Sequence, residues 1–125
     1  MFKIKTTPDY LWPVTIEIPG EKGSWEKHVF KARFKRLSQT EVESLAIRAG
    51  IMADPKKDEP DYTPPAEITH TNLLDQVVTG IVDSEGQEWP WDAESKTGVE
   101  EIAGARGAIV DAWFSSLVRA KAKNS

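Results

Sequence analysis

The chain has 125 residues and a mass of 14.0 kDa, which is the length of one domain. Its composition, with 39% hydrophobic and 29% charged residues, is typical of a globular protein and not of a disordered one. The absence of cysteine excludes disulfide scaffolds, thiolate metal sites and thiol nucleophiles.

The net charge of −4 is unevenly distributed along the chain. Residues 1–40 contain eight Lys or Arg and four Asp or Glu, whereas residues 41–125 contain eight and sixteen. A basic head and an acidic body favour self-association or a charged protein partner. No apolar run is long enough to span a bilayer and the first residues lack the apolar core of a signal peptide, so we expect a soluble, intracellular protein.

Residues 10–37 are predicted to form a β-hairpin. Residues 14–18 alternate apolar and polar side chains with the period of a half-buried strand, and residues 19–24 are rich in turn formers. The second strand places Phe30, Ala32 and Phe34 on an apolar face and Lys31, Arg33 and Lys35 on a basic one. Because a lone hairpin is marginally stable, its apolar face must pack on helices or on another chain. Met1–Lys5 is predicted to add a short third strand.

Helical signals dominate the rest of the chain. Ser38 and Glu41 form a capping-box pattern, which predicts a helix over 39–49 that Gly50 ends. A second helix is expected over 66–79, with Gly80 as its stop, and residues 81–91 read as a tight loop or a very small hairpin. Helical spacing then predicts two more helices, over 92–103 and 105–121.

We therefore expect an α+β fold in which an N-terminal β-hairpin of two or three strands packs against a mainly α-helical body of about four helices. The whole chain, 1–125, is interpreted as a single domain. It divides into a hairpin region, 1–37, and a helical region, 38–125, with an exposed, proline-rich and charged loop over 50–66.

The residues show no catalytic or metal-binding pattern. His28 and His70 fall on different predicted elements, and neither has a second ligand at metal-binding spacing. No glycine-rich phosphate loop is present, and the carboxylates at 83, 85 and 88 are read as a solvated turn rather than a calcium loop. The sequence therefore predicts neither an enzyme nor a bound cofactor.

The basic face of the hairpin leaves nucleic-acid binding as an alternative. It contains Lys27, Lys31, Arg33, Lys35 and Arg36, which together could follow a phosphate backbone. The acidic chain, with a sequence pI of about 5.2, argues against this reading. We expect no nucleic-acid partner and no membrane partner.

Large aromatic residues are the candidates for contacts with other proteins, because aromatic side chains are enriched at the buried centres of interfaces. Core filling is the alternative for each of them, and the favoured one for Trp113. The candidate interaction residues are Trp12, Trp25, Phe30, Phe34, Trp89 and Trp113.

Four segments occur in a familiar order. They are WPVTIEIP at 12–19, the Phe-rich basic run at 29–37, LLDQVVTGIVDSEGQEWPW at 73–91, and 108–124, which begins AIVDAWF and ends rich in lysine. Together they cover 53 of the 125 residues, and none is a catalytic signature. In this order they resemble the tail assembly chaperones of long-tailed, lambda-like bacteriophages.

The resemblance implies a non-catalytic protein of the bacterial host cytoplasm that is absent from the mature virion. It implies that the chain binds the tape measure protein, keeping that long, apolar, helix-rich protein soluble while tail tube protein subunits polymerise around it. It also implies self-association. The main alternative is a structural tail or head–tail connector protein that stays in the virion.

Overall fold

The protein combines one antiparallel sheet with a layer of helices. The computed structural model describes the backbone of residues 2–123 and the side chains of residues 2–118. The strands are Asp9–Pro19 (β1), Trp25–Lys35 (β2), Val78–Val82 (β3) and Glu88–Pro90 (β4), hydrogen-bonded in the order β1-β2-β3-β4. The helices are Gln39–Arg48 (α1), His70–Val77 (α2), Ala93–Glu100 (α3) and Ala105–Lys123 (α4). The predicted α+β fold is confirmed.

The predicted hairpin forms, with β1 and β2 paired along their full lengths from Asp9 opposite Lys35 to Pro19 opposite Trp25. Its even-numbered side chains face the helices, and Val14 and Phe34 among them are completely buried. The turn between the strands contains one 3-10 turn in which Gly23 has a φ of 76°. The alternation read from the sequence thus assigned the two faces of the hairpin correctly.

The first helix is confirmed to within one residue of its predicted end. The Ser38 hydroxyl accepts a hydrogen bond from the Glu41 backbone N–H at 3.2 Å, and the Glu41 carboxylate accepts one from the Ser38 backbone N–H at 3.4 Å. These two bonds satisfy donors that the first turn of a helix leaves free.

The second helix is shorter than predicted, and Gly80 does not end it. The Thr69 hydroxyl caps α2 by accepting from the Asn72 backbone N–H at 3.1 Å, and the helix ends at Val77. The following residues enter the sheet as β3, where Gly80 lies opposite Arg33. Because β-branched residues fit a pleated sheet well, the run from Val77 to Val82 favours a strand once β2 offers an edge to pair with.

Residues 81–91 form the very small hairpin that was one of the two readings, with Ile81 opposite Trp89. The region 38–125 therefore supplies two strands of the sheet as well as helices. The predicted third strand at the start of the chain is wrong for residues 2–5, which belong to no strand. Phe2 and Ile4 are 88% and 70% exposed, so no burial compensates for ordering them there. Met1 lies outside the described residues.

One apolar cluster joins the sheet to the helices. Its largest fully buried side chains come from β1, β2, α2 and α4, and they are Val14, Phe34, Leu73, Leu74, Val77, Ile109 and Trp113. Gly104, with a φ of 84°, lies between α3 and α4, where the chain changes direction.

Candidate protein-binding groove

The helices do not fill the space over the whole inner face of the sheet. Near the hairpin turn, Ile16, Ile18 and Phe30 face α3 across an open groove of about 940 Å³. Trp89 of β4 forms one side, and Val99 lies on the α3 side. The volume of this groove is near the upper end of the range found for ligand pockets, roughly 300–1,000 Å³. We name it the inner groove; its apolar lining residues include Ile16, Ile18, Phe30, Ile81, Trp89, Ala93, Val99, Ile102 and Ala105.

Trp89 is held in the wall of the inner groove by Asp83. The indole N–H of Trp89 donates to the Asp83 carboxylate at 2.8 Å, and that carboxylate also accepts from the backbone N–H groups of Glu85 and Gln87 at 3.0 Å each. The bond from Trp89 is the main cause, and the bond from Gln87 the next, of a lowered pKa of Asp83. The acidic turn thus positions Trp89, a residue that remains 37% exposed.

The α3 side of the groove is fixed by Asp75 on α2. The Lys96 ammonium lies 2.9 Å from the Asp75 carboxylate, and the Trp91 indole N–H donates to the same group at 3.1 Å. The hydrogen bond from Lys96 is the main cause of the lowered pKa of Asp75; the bond from Trp91 adds to it, and partial desolvation opposes both. One carboxylate therefore ties α2 to α3 and to the segment that precedes α3.

Replacing Asp75 by asparagine should lower the free energy of unfolding at neutral pH. It should also make that free energy depend less steeply on pH in the acidic range. Because the folded-state pKa is lowered, the stabilisation is complete above the pKa of the unfolded chain and is lost as the pH falls through the folded-state value. The difference from wild type should therefore be largest near pH 7 and shrink below about pH 4. Urea denaturation across this range measures it. Asp58→Asn, in the exposed loop, is the control, and equal curves for the two variants would contradict the prediction.

The outer face of the sheet is charged, and its central arginine is already paired. Arg33 donates to Asp9 on β1 at 3.2 Å and to Glu88 on β4 at 2.7 Å. The bond to Glu88 first, and then the bond to Asp9, raise the pKa of Arg33. Two carboxylates on the guanidinium occupy donors that a nucleic-acid phosphate would need, which weakens the nucleic-acid alternative.

The structure separates the six aromatic residues that the sequence nominated. Phe30 and Trp89 lie together in the inner groove. Trp25 is 67% exposed, but its odd position in β2 puts it on the outer face, so it does not share a surface with Phe30. Trp12 is partly buried against the core at the β1 edge.

Phe34 and Trp113, unlike these four residues, are buried: they are 0% and 1% exposed. In the folded chain they are core residues that no partner can touch. Of the six candidate residues, only Phe30 and Trp89 therefore lie in the inner groove.

Sequence reasoning missed the aliphatic part of the groove. Ile18 continues the inner-face alternation of β1 beyond the buried Ile16 and is only partly buried, and Ile102 follows α3 and is 44% exposed. An apolar residue that extends a buried stripe beyond its packing partner was the available signal. It could be recognised only with the length of the helical layer known.

No cluster of three or more metal-ligating side chains occurs among the described residues. In the same part of the chain, no helix is both long and apolar enough to cross a membrane. Comparisons of the sequence with protein-family models and with curated proteins, and of the structure with solved structures, found no match.

Proposed function

We propose that this chain is a phage tail assembly chaperone that binds apolar helical segments of the tape measure protein and performs no catalysis. The observation that carries the proposal is the inner groove, an open and mainly apolar channel between the hairpin and α3. An amphipathic helix binds such a groove by inserting side chains one turn apart. The sequence resemblance supplies the identity of the client.

The chemistry of the groove suits a chaperone that uses no nucleotide. Its walls combine aliphatic side chains with the exposed ring of Trp89, which offers contact area without demanding one hydrogen-bonding pattern. Asp83, Glu94 and Glu101 lie at the same groove, so a helix with basic residues beside its apolar stripe would be favoured. The tail tube protein is the second partner that the resemblance implies.

The decisive experiment is co-expression of the chain with the tape measure protein of its phage. Ile102→Glu should reduce the soluble fraction of the tape measure protein by about tenfold or more, because a charge in an apolar interface is left unpaired. Leu117→Glu is the matched control: Leu117 is 40% exposed, close to the 44% of Ile102, and lies on α4 away from the groove lining.

Three outcomes would contradict the proposal. The wild-type chain fails to solubilise the tape measure protein, or the two variants behave alike, or mass spectrometry finds the chain in stoichiometric amounts in purified particles. The last result would favour the structural tail or head–tail connector protein instead. Circular dichroism of both variants establishes that each is folded.

A further inference from the structure

Residues 2–7, which we call the arm, have the pattern of a strand but lie outside the sheet. Phe2 and Ile4 alternate with Lys3 and Lys5, the period-two pattern of a strand with one apolar face. Both apolar side chains are exposed, at 88% and 70%. An apolar strand pattern left in solvent indicates a segment whose packing partner is not within its own fold.

The β1 strand offers a free edge. It pairs with β2 on one side, and in the described part of the chain no strand lies on its other side. At the two ends of the hairpin, Pro8 accepts from the Arg36 N–H at 3.0 Å and the Gly20 N–H donates to Ser24 at 2.8 Å. Even-numbered residues of β1 therefore direct their backbone groups toward β2, and odd-numbered residues direct theirs outward.

The outward positions include two prolines that limit what can dock. Pro13 and Pro19 have no N–H to offer, as is usual for prolines on an edge strand. Between them, Thr15 and Glu17 present outward N–H donors, and the carbonyls of residues 13, 15 and 17 are outward acceptors. This stretch matches a short added strand of about five residues.

A second groove runs beside this edge. It has a volume of about 470 Å³ and lies between residues 12–17 of β1 and the start of α4. The wall that α4 forms is shallow because its residues there are small, namely Gly107, Ala108 and Ala112. Asp111 lines the groove, and Glu17 lies at the same edge with its side chain on the outer face, so this edge of the protein is acidic where the arm is basic.

We infer that the arm of one copy adds as a fifth strand to the free edge of β1 in a second copy, beside α4. Phe2 and Ile4 then enter the groove beside α4, while Lys3 and Lys5 project to the face that carries Glu17. The arm cannot make these contacts within its own chain. Folding back over residues 6–8 would bring Phe2 no farther along β1 than about residue 13, short of the donors at 15 and 17.

The first test is the oligomeric state by light scattering over a range of concentrations. Wild type should associate, and Ile4→Asp should raise the dissociation constant by about tenfold or more, because a carboxylate would replace an apolar contact in an acidic groove. This variant cannot destabilise the monomer through lost contacts, since Ile4 is exposed there. A wild-type monomer at all concentrations, or an unchanged dissociation constant for Ile4→Asp, would overturn the inference.

A second variant tests the edge itself. Thr15→Pro removes one outward N–H that the monomer does not use, at a position between two prolines that β1 already tolerates. It should weaken association by about tenfold, the effect of one lost interface hydrogen bond, whereas Thr15→Val keeps the N–H and should associate as wild type does. Equal association of the two folded variants would refute docking at this edge; should Thr15→Pro unfold, Ile4→Asp decides.

Cross-linking identifies the docked residues directly, because the chain has no cysteine of its own. Equal amounts of Ile4→Cys and Ala108→Cys protein, mixed and oxidised, should give a mixed disulfide between copies. The control pair is Ile4→Cys with Lys57→Cys in the exposed loop. Equal yields from the two pairs would contradict the inference. The tape measure protein takes no part in these measurements, so their failure is separate from a failure of the proposed function.

Discussion

Replacing Trp113 by alanine should lower the free energy of unfolding by about 3–5 kcal/mol, the largest single loss we expect in this chain. Trp113 is 1% exposed and is among the largest fully buried side chains. It lies on α4, which packs against β1 and α2, so the cavity would open where the sheet meets the helices. Such a loss is a large fraction of the stability of a domain of this size.

Urea denaturation followed by circular dichroism measures this loss, with Phe114→Ala as the control. Phe114 is the next residue on α4 and is only partly buried, so its truncation should cost clearly less than that of Trp113. Equal losses for the two variants, or a loss below about 1 kcal/mol for Trp113→Ala, would show that Trp113 is not a central core residue.

Gly80→Val should destabilise the protein by about 1–3 kcal/mol and loosen β4. A Cβ at position 80 would lie 3.1 Å from the backbone carbonyl oxygen of Trp89 and 4.0 Å from the Cβ of Arg33. The carbonyl belongs to the backbone of the neighbouring strand and cannot rotate away as a side chain would. The contact with the Arg33 Cβ is an ordinary one, so the clash falls between β3 and β4, where Gly80 lies opposite Pro90.

The control for this substitution is Gly98→Ala on α3. A Cβ there meets nothing within 4 Å, and glycine inside a helix costs roughly 0.5–1 kcal/mol relative to alanine, so this variant should be more stable than wild type. Thermal unfolding compares the two variants, and hydrogen exchange at residues 88–90 reports on β4. Protection of β4 that is unchanged in Gly80→Val would contradict the expected separation of the strands.

Sequence patterns within a few residues predicted the elements that depend on neighbouring residues alone. The alternation in β1 and β2 gave the hairpin and its faces, and the Ser38–Glu41 capping box located the start of α1. These predictions succeeded because side-chain period and helix caps depend on residues within a few positions of each other. The end of α2 was misplaced because β3 exists only through pairing with β2, a strand more than forty residues away.

The candidate site was harder to predict than the fold. An apolar stripe indicates that a face is covered but not which element covers it or how far that cover extends. Phe30 and Phe34 have the same chemistry and lie four residues apart on one strand face. Phe34 is in the core and Phe30 lines an open groove, because the helices cover only part of the sheet.

Composition and pattern alone predicted the α+β class and the hairpin with its apolar and basic faces. They also showed no recognisable catalytic motif. These follow from residue type and short-range spacing. Tertiary structure alone decided that residues 78–90 complete the sheet, that the inner groove stays open beside α3, and that no strand of the described residues pairs with the outer edge of β1. Each of these depends on contacts between segments far apart in the chain, whose geometry no local spacing specifies.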